Sequence, residues 1–212
     1  MRPVWFMLIP LLLATPTALA SDLQAEIAYI AQRWAILKYQ TADSDEQVAG
    51  LQQLADDAAQ LSVSHPDAPE PPLWQAVALG TKAYLVGGRT ALRDVTRARD
   101  LALAALDKGT PETSGYAYTL LGAIYHEVPG WPIAFGDNSK ALRYFDRAMR
   151  LNPNSMDAHY YYGEYLMDRG ETEKARNMLH AALNLPDRPE LAVAHEDRRR
   201  QVRDALDELS NQ

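Results

Sequence analysis

The sequence predicts an all-α fold, a solenoid of about four helical hairpins followed by a C-terminal capping helix. The first observation is an internal repeat, which appears when the 212-residue chain is aligned with itself at a shift of 34 residues. Five pairs coincide: Gly136 with Gly170, Ala141 with Ala175, Phe145 with Leu179, Ala148 with Ala182, and Leu151 with Leu185. The second observation is that these small and large residues recur at helical spacing. A period of this length is typical of stacked helix pairs that bury a continuous core.

The N-terminal segment, residues 1–20, has the pattern of a secretory signal peptide. Arg2 precedes an apolar run over residues 4–14, and small residues end at Ala18 and Ala20. The apolar run is shorter than the roughly 20 residues of a membrane-spanning helix, so we favour cleavage over a retained anchor. Because the chain has no cysteine, we expect neither lipidation at the cleavage point nor disulfides. The prediction is a single domain over residues 21–212, soluble in the bacterial periplasm without stable membrane insertion.

The first two hairpins carry weak repeat signatures. Residues 24–61 place Trp34 on one helix and an apolar stripe on the next, formed by Leu51, Leu54, Ala55, Ala58 and Leu61. After a proline-rich linker at residues 65–72, Trp74 begins a helix ahead of the small residues Ala98, Ala102 and Ala105. These patterns predict one hairpin on each side of the linker.

The third and fourth hairpins, residues 114–153 and 155–187, are better defined. Tyr118-x-x-Leu-Gly122-x-x-Tyr and His159-x-x-Tyr-Gly163-x-x-Leu follow the pattern W-x-x-L-G-x-x-Y, and the chain here resembles the tetratricopeptide repeat (TPR) superfamily. Each glycine allows close approach of two helices, and Pro153 and Pro186 end the second helix of each pair.

The third hairpin carries a seven-residue insertion. Gly122 and Ala141 are separated by 19 positions, whereas Gly163 and Ala175 are separated by 12. The insertion gives residues 125–145 the pattern Y-x-x-V-P-G-W-P-x-x-F-G-D-x-x-K-A-x-x-Y-F. This pattern resembles the T component associated with TRAP transporters and the related repeats of regulator of microtubule dynamics proteins. The resemblance implies a solute-binding protein as a partner, although the lipidated cysteine typical of T components is absent.

The insertion is predicted to be an ordered flap stiffened by its two prolines. We expect Phe135 to anchor it, Asp137 to cap the following helix and Trp131 to stay partly exposed beside the groove as a partner contact. The alternative is that Trp131, Ile133 and Phe135 all tuck beneath the loop as a small satellite core.

Charge and motifs exclude several function classes. A formal net charge of −7 argues against nucleic acid and anionic lipid as partners. No metalloprotease, nucleophile-elbow or nucleotide-binding motif occurs, so we expect no enzyme activity, no cofactor and no metal site. His126 and Glu127, with Glu164 on the adjacent repeat, could supply acid–base groups or metal ligands, but polar residues at a helix end are the favoured interpretation.

The first helix of each hairpin should line a concave face. On the third hairpin the residues predicted to project there are Thr119, Ala123, His126 and Glu127, and on the fourth they are Tyr160, Glu164, Met167 and Asp168. The groove is therefore acidic and aromatic, which favours a neutral or basic segment of a protein partner or a ligand that contacts aromatic side chains. Tyr160 is the tyrosine expected to be exposed.

The last segment, residues 189–209, is predicted to be a solvated capping helix, because acidic and basic residues alternate at four-residue spacing. Residues 198–200 are three consecutive arginines and could instead bind an anion. The sequence as a whole predicts an exported, non-enzymatic scaffold that binds a protein through its concave face and extended edge. The alternatives are an accessory of solute uptake that binds or passes a small ligand and, least favoured, a hydrolase.

Overall fold

The computed structural model describes residues 16–186 and 192–211, with side chains from Asp22 onward. Within these ranges the chain forms nine α-helices and no strand: α1 (Pro16–Tyr39), α2 (Ser44–Ser64), α3 (Glu70–Val86), α4 (Gly88–Leu106), α5 (Pro111–Glu127), α6 (Asn138–Leu151), α7 (Met156–Asp168), α8 (Thr172–Leu183) and α9 (Ala192–Ser210). The all-α solenoid predicted from the sequence is confirmed.

The hairpins pack as the repeat signature requires. The glycine of each signature faces a large residue on its partner helix, because a Cβ added to Gly122 would lie 2.6 Å from the Phe145 ring and one added to Gly163 would lie 2.8 Å from Leu179. The four repeated alanines are fully buried: Ala141, Ala148, Ala175 and Ala182. Helix α5 contacts α3 on one side and α7 on the other, and these three helices form an inner layer with which α4, α6 and α8 pair.

Local sequence sets the helix boundaries. The Thr110 hydroxyl accepts a hydrogen bond from the amide of Thr113 at the start of α5, and the Ser155 hydroxyl accepts one from Ala158 at the start of α7. Both are ordinary N-caps, which satisfy amides that have no partner within the helix. As predicted, α6 and α8 end shortly before Pro153 and Pro186.

The second hairpin is longer than the fourth because its second helix, α4, has additional residues at its N-terminal end. Its helix α4 begins ten residues before Ala98, whereas α6 and α8 begin three residues before the equivalent Ala141 and Ala175. The chain reverses at Gly87 and Gly88, whose φ angles of 63° and 64° lie in the left-handed region that favours glycine. Two neighbouring hairpins thus each gain about seven residues, one as a helical arm and the other as the flap.

Helix α1 lies across the inner layer. Its Trp34 is buried, packs edge-to-face against Trp74 at 6.0 Å and donates a hydrogen bond to the Thr81 hydroxyl at 3.0 Å. Further along α1, the Lys38 ammonium donates to the Tyr161 hydroxyl of α7 at 3.4 Å. The same helix also contacts α9, so part of the concave face predicted to bind a partner is occupied by the chain itself.

The prediction of a solvated helix at residues 189–209 is wrong for one face of α9. Six of its residues are buried: Asp197, Arg198, Val202, Ala205, Leu206 and Leu209. The Arg199 guanidinium donates to the carbonyls of Leu183 and Leu185 at 2.7 Å each, which satisfies acceptors at the C-terminal end of α8. The predicted helix start at Pro189 lies outside the described residues.

Replacing Gly163 with leucine should destabilise the fourth hairpin, because the new side chain must displace Leu179, which has no exposed surface. Overpacking of this kind costs about 1 to 3 kcal/mol, and thermal unfolding monitored by circular dichroism would measure it. Gly80→Ala is the matched control, since a Cβ there meets its nearest atom at an ordinary 3.7 Å. An unchanged melting temperature for Gly163→Leu would contradict the packing described here.

Candidate functional site

The flap between α5 and α6 is held by backbone hydrogen bonds. The amide of Gly136 donates to the carbonyl of Pro129 at 2.9 Å, and the amide of Asp137 donates to the carbonyl of Tyr125 at 2.8 Å. A Cβ on Gly136 would collide with the carbonyl oxygen of Val128, so only glycine allows this close approach. The insertion is therefore ordered, as the sequence predicts.

Phe135 anchors the flap from below. Its ring packs edge-to-face on Tyr125 at 5.5 Å, and the Arg99 guanidinium of α4 lies 4.3 Å from its centroid. The Asp137 carboxylate then caps α6 by accepting from the amides of Ser139 and Lys140 at 2.9 and 3.0 Å. The predicted anchor and the predicted cap are both confirmed.

Trp131 and Ile133 lie at the outer side of the flap. Their exposed fractions are 89% and 74%, so the interpretation in which all three large residues form a satellite core is wrong. Sequence reasoning did not name Ile133 as a site residue, although its alternation with Trp131 was a signal for it. The two side chains form an apolar tip on an ordered loop, so this part of the flap leaves apolar surface exposed to solvent.

His126, at the end of α5 where the flap begins, is brought next to α7. Its Nε2 lies 3.0 Å from an Asp168 carboxylate oxygen and its Nδ1 lies 3.3 Å from Oδ1 of Asn138. The edge of the imidazole also packs on Tyr165 at 5.2 Å. The predicted residues His126 and Asp168 thus form one contact across two repeats, and these interactions fix the imidazole.

Glu164 lies among like charges. Burial raises the pKa of its carboxyl above the ordinary value, a hydrogen bond from Tyr160 opposes that rise, and repulsion from Asp168, Glu208 and Glu127 adds to it. Glu127 itself is exposed. The acidic character predicted for this face is therefore present beside the flap.

Thr119 does not belong to the site, contrary to the sequence-based prediction. It is only 5% exposed, and its hydroxyl donates to the carbonyl of Gly115 at 2.9 Å. Helix α5 lies between α3 and α7, and Thr119 is buried in that packing with its hydrogen bond already satisfied within its own helix.

Tyr160 is half-buried, not exposed as predicted. The Arg198 guanidinium lies 4.3 Å from the centroid of its ring, and Tyr161 packs against it edge-to-face at 5.2 Å. Burial and the neighbouring Glu164 carboxylate both raise the pKa of its hydroxyl. Only part of the ring therefore remains available to a partner.

Sequence reasoning missed a buried polar cluster centred on Arg198. The guanidinium is 2.7 Å from the Asp157 carboxylate and donates to Gln201 and to the Tyr161 hydroxyl at 2.6 and 3.2 Å. Burial would raise the pKa of Asp157, but Arg198 and then Lys38 hold it below its ordinary value. The cluster connects α1, α7 and α9, and every group in it is paired within the protein, so the anion-binding alternative for Arg198 is wrong.

In the described part of the chain, no group of three or more histidine and carboxylate side chains is arranged to hold a metal ion. None of the described helices is long and apolar enough to span a membrane.

The comparisons agree with this geometry. The sequence model of the tetratricopeptide repeat family matches residues 133–194, a segment that includes α6, α7 and α8. No curated protein sequence matches the chain. The fold and this match together define an all-α solenoid of the TPR type. The matching model describes the tetratricopeptide repeat in general and not the T component of TRAP transporters, so the resemblance to T components stays a prediction.

Glu164→Gln should raise the stability at neutral pH, because it removes a carboxylate whose ionisation is disfavoured in the fold and keeps an acceptor for Tyr160. The gain should be below about 1 kcal/mol, since solvent screens this partly exposed group. A carboxyl whose folded-state pKa is raised destabilises the fold as pH rises through its unfolded and folded pKa values. The difference between variant and wild type should therefore shrink in acid.

Denaturant titrations at neutral pH and at about pH 4, near the ordinary glutamate pKa, would measure this difference. Glu26→Gln, at an exposed position of α1, is the control and should change little at either pH. A Glu164→Gln variant less stable than wild type at neutral pH would contradict the repulsion described here.

Proposed function

We propose that this protein is an exported, non-enzymatic TPR scaffold that binds a protein partner in the bacterial periplasm. The observation that carries the proposal is the exposed tip of the flap, formed by Trp131 and Ile133 on an ordered backbone. A mobile loop would lose backbone entropy on binding, whereas the backbone that carries this tryptophan is already ordered. Tryptophan is also among the residues that contribute most to the affinity of protein interfaces.

The surroundings of the flap support a protein partner. His126 and Glu127 directly precede it in the chain, and Glu164 and Asp168 lie across from them on α7. An apolar anchor beside an acidic strip fits a partner with an apolar pocket and a basic rim. Because α1 covers part of the inner layer, the proposed interface is the flap edge and this strip, with Tyr160 as a partial contact.

A scaffold is favoured over a hydrolase by the state of His126. Both ring nitrogens lie within hydrogen-bond distance of side-chain oxygens, those of Asp168 and Asn138, and Glu127 projects into solvent. A general base must reach a nucleophile or a water at the reacting centre, and this imidazole is bonded to its own neighbours instead. Hydrolytic activity that is present in the wild-type protein and lost in His126→Ala would favour the hydrolase alternative.

The resemblance of residues 125–145 to T components makes a periplasmic solute-binding protein the first partner to test. Gel filtration of the protein with and without a co-purified solute-binding protein would distinguish a protein complex from an accessory that binds a small ligand. A shift to a stable complex supports the scaffold. A ligand that binds in the absence of any partner would favour the accessory role.

The central experiment is crosslinking in cells. A photo-crosslinking amino acid at position 133, which is 74% exposed beside Trp131 and leaves the tryptophan in place, should capture a defined partner, whereas the same amino acid at Val63, which is 82% exposed on α2, should not. The intact mass of the purified mature chain should correspond to a chain whose first residue is Ser21. Recovery of the full-length chain in the membrane pellet would contradict export with cleavage, and equal capture at both positions would contradict the site.

A further inference from the structure

The helical arm of the second hairpin carries charge of the opposite sign to the rest of the protein. We define the α4 arm as residues 88–98, the first part of α4, in which residues 88–94 are the extension beyond the starts of the equivalent helices. At a rise of 1.5 Å per residue this extension is about 10 Å long. Its connecting turn at Gly87 and Gly88 meets no neighbouring atom within 4 Å of an added Cβ, so the end of the arm stands free.

Three arginines form a row along the solvent-facing side of this arm. Arg89, Arg93 and Arg97 recur at four-residue spacing and all are exposed, with 88% of the Arg93 side chain accessible. Residues four apart lie on one face of a helix, about 6 Å from one to the next. The row therefore presents three positive charges over about 12 Å on a protein whose formal net charge is −7.

The acidic residue within the arm does not neutralise this row. Asp94 is turned toward α3, where its carboxylate pairs with the Lys82 ammonium at 2.7 Å and only 14% of its side chain is accessible. Its contact with Arg93 is longer, at 3.6 Å. Ala91 and Ala98 face inward and are buried, so the arm is amphipathic, with its arginines on the outer side.

Apolar residues lie beside the row at the end of α3. Tyr84, Leu85 and Val86 are 78%, 40% and 43% exposed and lead directly into the turn. The arm therefore combines an apolar end with a basic face. On the side toward the flap, Arg99 packs on Phe135, which joins the arm to the proposed interface.

We propose that the α4 arm binds an acidic amphipathic helix of the protein partner. This inference rests on the proposed scaffold function and names the chemistry of the partner at a second contact. Glutamates or aspartates at four-residue spacing on the partner helix would match the arginine row, and apolar residues at its end would cover Leu85 and Val86. The row gives the interaction its orientation and its dependence on salt.

The direction of the row favours a helix over a membrane surface. It runs along the axis of α4 away from the free end, so a flat bilayer that contacts the turn reaches Arg89 but not Arg97 some 12 Å further back. A helix laid along α4 reaches all three. Aromatic and basic residues at the end of a hairpin can also contact lipid headgroups, and the experiment below includes that outcome.

The test is fluorescence anisotropy with two labelled 20-residue peptides of identical composition. The patterned peptide has glutamates at four-residue spacing on one helical face and leucines on the adjoining face, and its isomer has the same residues in scrambled order. The proteins are wild type, Arg93→Glu/Arg97→Glu and the control Arg33→Glu/Arg169→Glu, which reverses two exposed arginines elsewhere. Circular dichroism checks that all three are folded.

We expect wild type to prefer the patterned peptide, and Arg93→Glu/Arg97→Glu to weaken its binding at least about tenfold, since like charges then face each other across the interface. The control should change binding by less than about twofold, and the wild-type affinity should fall as salt rises. Equal binding of both peptides, or equal loss in both variants, would overturn the proposal. Binding to phosphatidylglycerol vesicles is measured with the same proteins. If Arg93→Glu/Arg97→Glu loses binding to the vesicles but still binds the peptide, the proposal is overturned as well.

Crosslinking at position 133 separates this inference from the function on which it rests. If Arg93→Glu/Arg97→Glu captures the partner as well as the unsubstituted arm does, the arm is not part of the interface, and the proposed scaffold function still stands. Absence of capture by the chain that carries the crosslinker and no arginine substitution would contradict the scaffold itself, whatever the peptides do.

Discussion

Replacing Asp157 with asparagine should lower the free energy of unfolding by about 3 kcal/mol, because it leaves the buried Arg198 guanidinium without its counter-charge. Only 3% of the Arg198 side chain is accessible, and its remaining partners, Gln201 and the Tyr161 hydroxyl, are neutral. The Asp157 side chain is 42% accessible, so the expected loss lies at the low end of the range for broken buried pairs. A buried charge that loses its ion pair keeps the full cost of desolvation. Urea denaturation followed by circular dichroism would measure the change.

The control for this substitution is Asp45→Asn. Asp45 occupies the same position in the first turn of α2 that Asp157 occupies in α7, but it is exposed. Both substitutions remove one favourable interaction with the helix dipole, which contributes about 0.3 to 1 kcal/mol. The excess loss in Asp157→Asn then measures the ion pair with the buried guanidinium, and an equal loss in both variants would show that the pair adds nothing.

The same ion pair predicts how stability depends on pH. Arg198 and Lys38 lower the folded-state pKa of Asp157, so the contribution of its carboxylate is present above the unfolded pKa of about 3.9 and is lost as pH falls through the folded value. The stability gap between wild type and Asp157→Asn should therefore be full at neutral pH and narrow below about pH 4. A gap that stays constant down to pH 3 would contradict this.

The repeat could be predicted from the sequence because its determinants are local. Gly163 and Ala175 are 12 positions apart, and their types alone indicate where two helices touch. The N-cap at Asp137 and the anchor at Phe135 were likewise predictable, since each acts on residues a few positions away or in the adjoining helix. Such short-range rules recovered the layers, the flap and its exposed tryptophan.

The buried cluster could not be predicted by the same reasoning. Arg198 lies on α9 among acidic residues at helical spacing, which predicts a solvated face. Yet its partner Asp157 is 41 positions earlier, and Lys38 of α1, near the other end of the chain, donates to Tyr161 in the same cluster. Nothing in local spacing encodes that α1 crosses the inner layer to meet α7 and α9. Tyr160 was misplaced for the same reason, since Arg198 covers it from a helix predicted to be solvated.

Trp131→Ala should leave the stability nearly unchanged and weaken partner capture at least about 30-fold, the effect of losing a hot spot of about 2 kcal/mol. Trp131 is 89% exposed, so its truncation opens no cavity, and the flap backbone is held by hydrogen bonds that do not involve its side chain. Thermal unfolding measures the first effect. Binding of the crosslinked partner, purified and titrated against the variant, measures the second.

Phe135→Ala is the matched substitution on the same loop. Removing this half-buried ring takes away the contacts with Tyr125 and Arg99, so the free energy of unfolding should fall by about 2 to 3 kcal/mol, somewhat less than for a fully buried phenylalanine. Binding should weaken as well, because a loosened flap no longer holds Trp131 in place and must be ordered on contact.

The two variants separate an interface from a structural loop. If the flap binds a partner, Trp131→Ala loses affinity at full stability, whereas Phe135→Ala loses stability and affinity together. If Trp131→Ala destabilises the protein as much as Phe135→Ala and the captured partner still binds, the exposed tryptophan has a structural role that its surroundings do not explain. The acidic strip and the arginine row would then be the only parts of the proposed interface that remain to be tested.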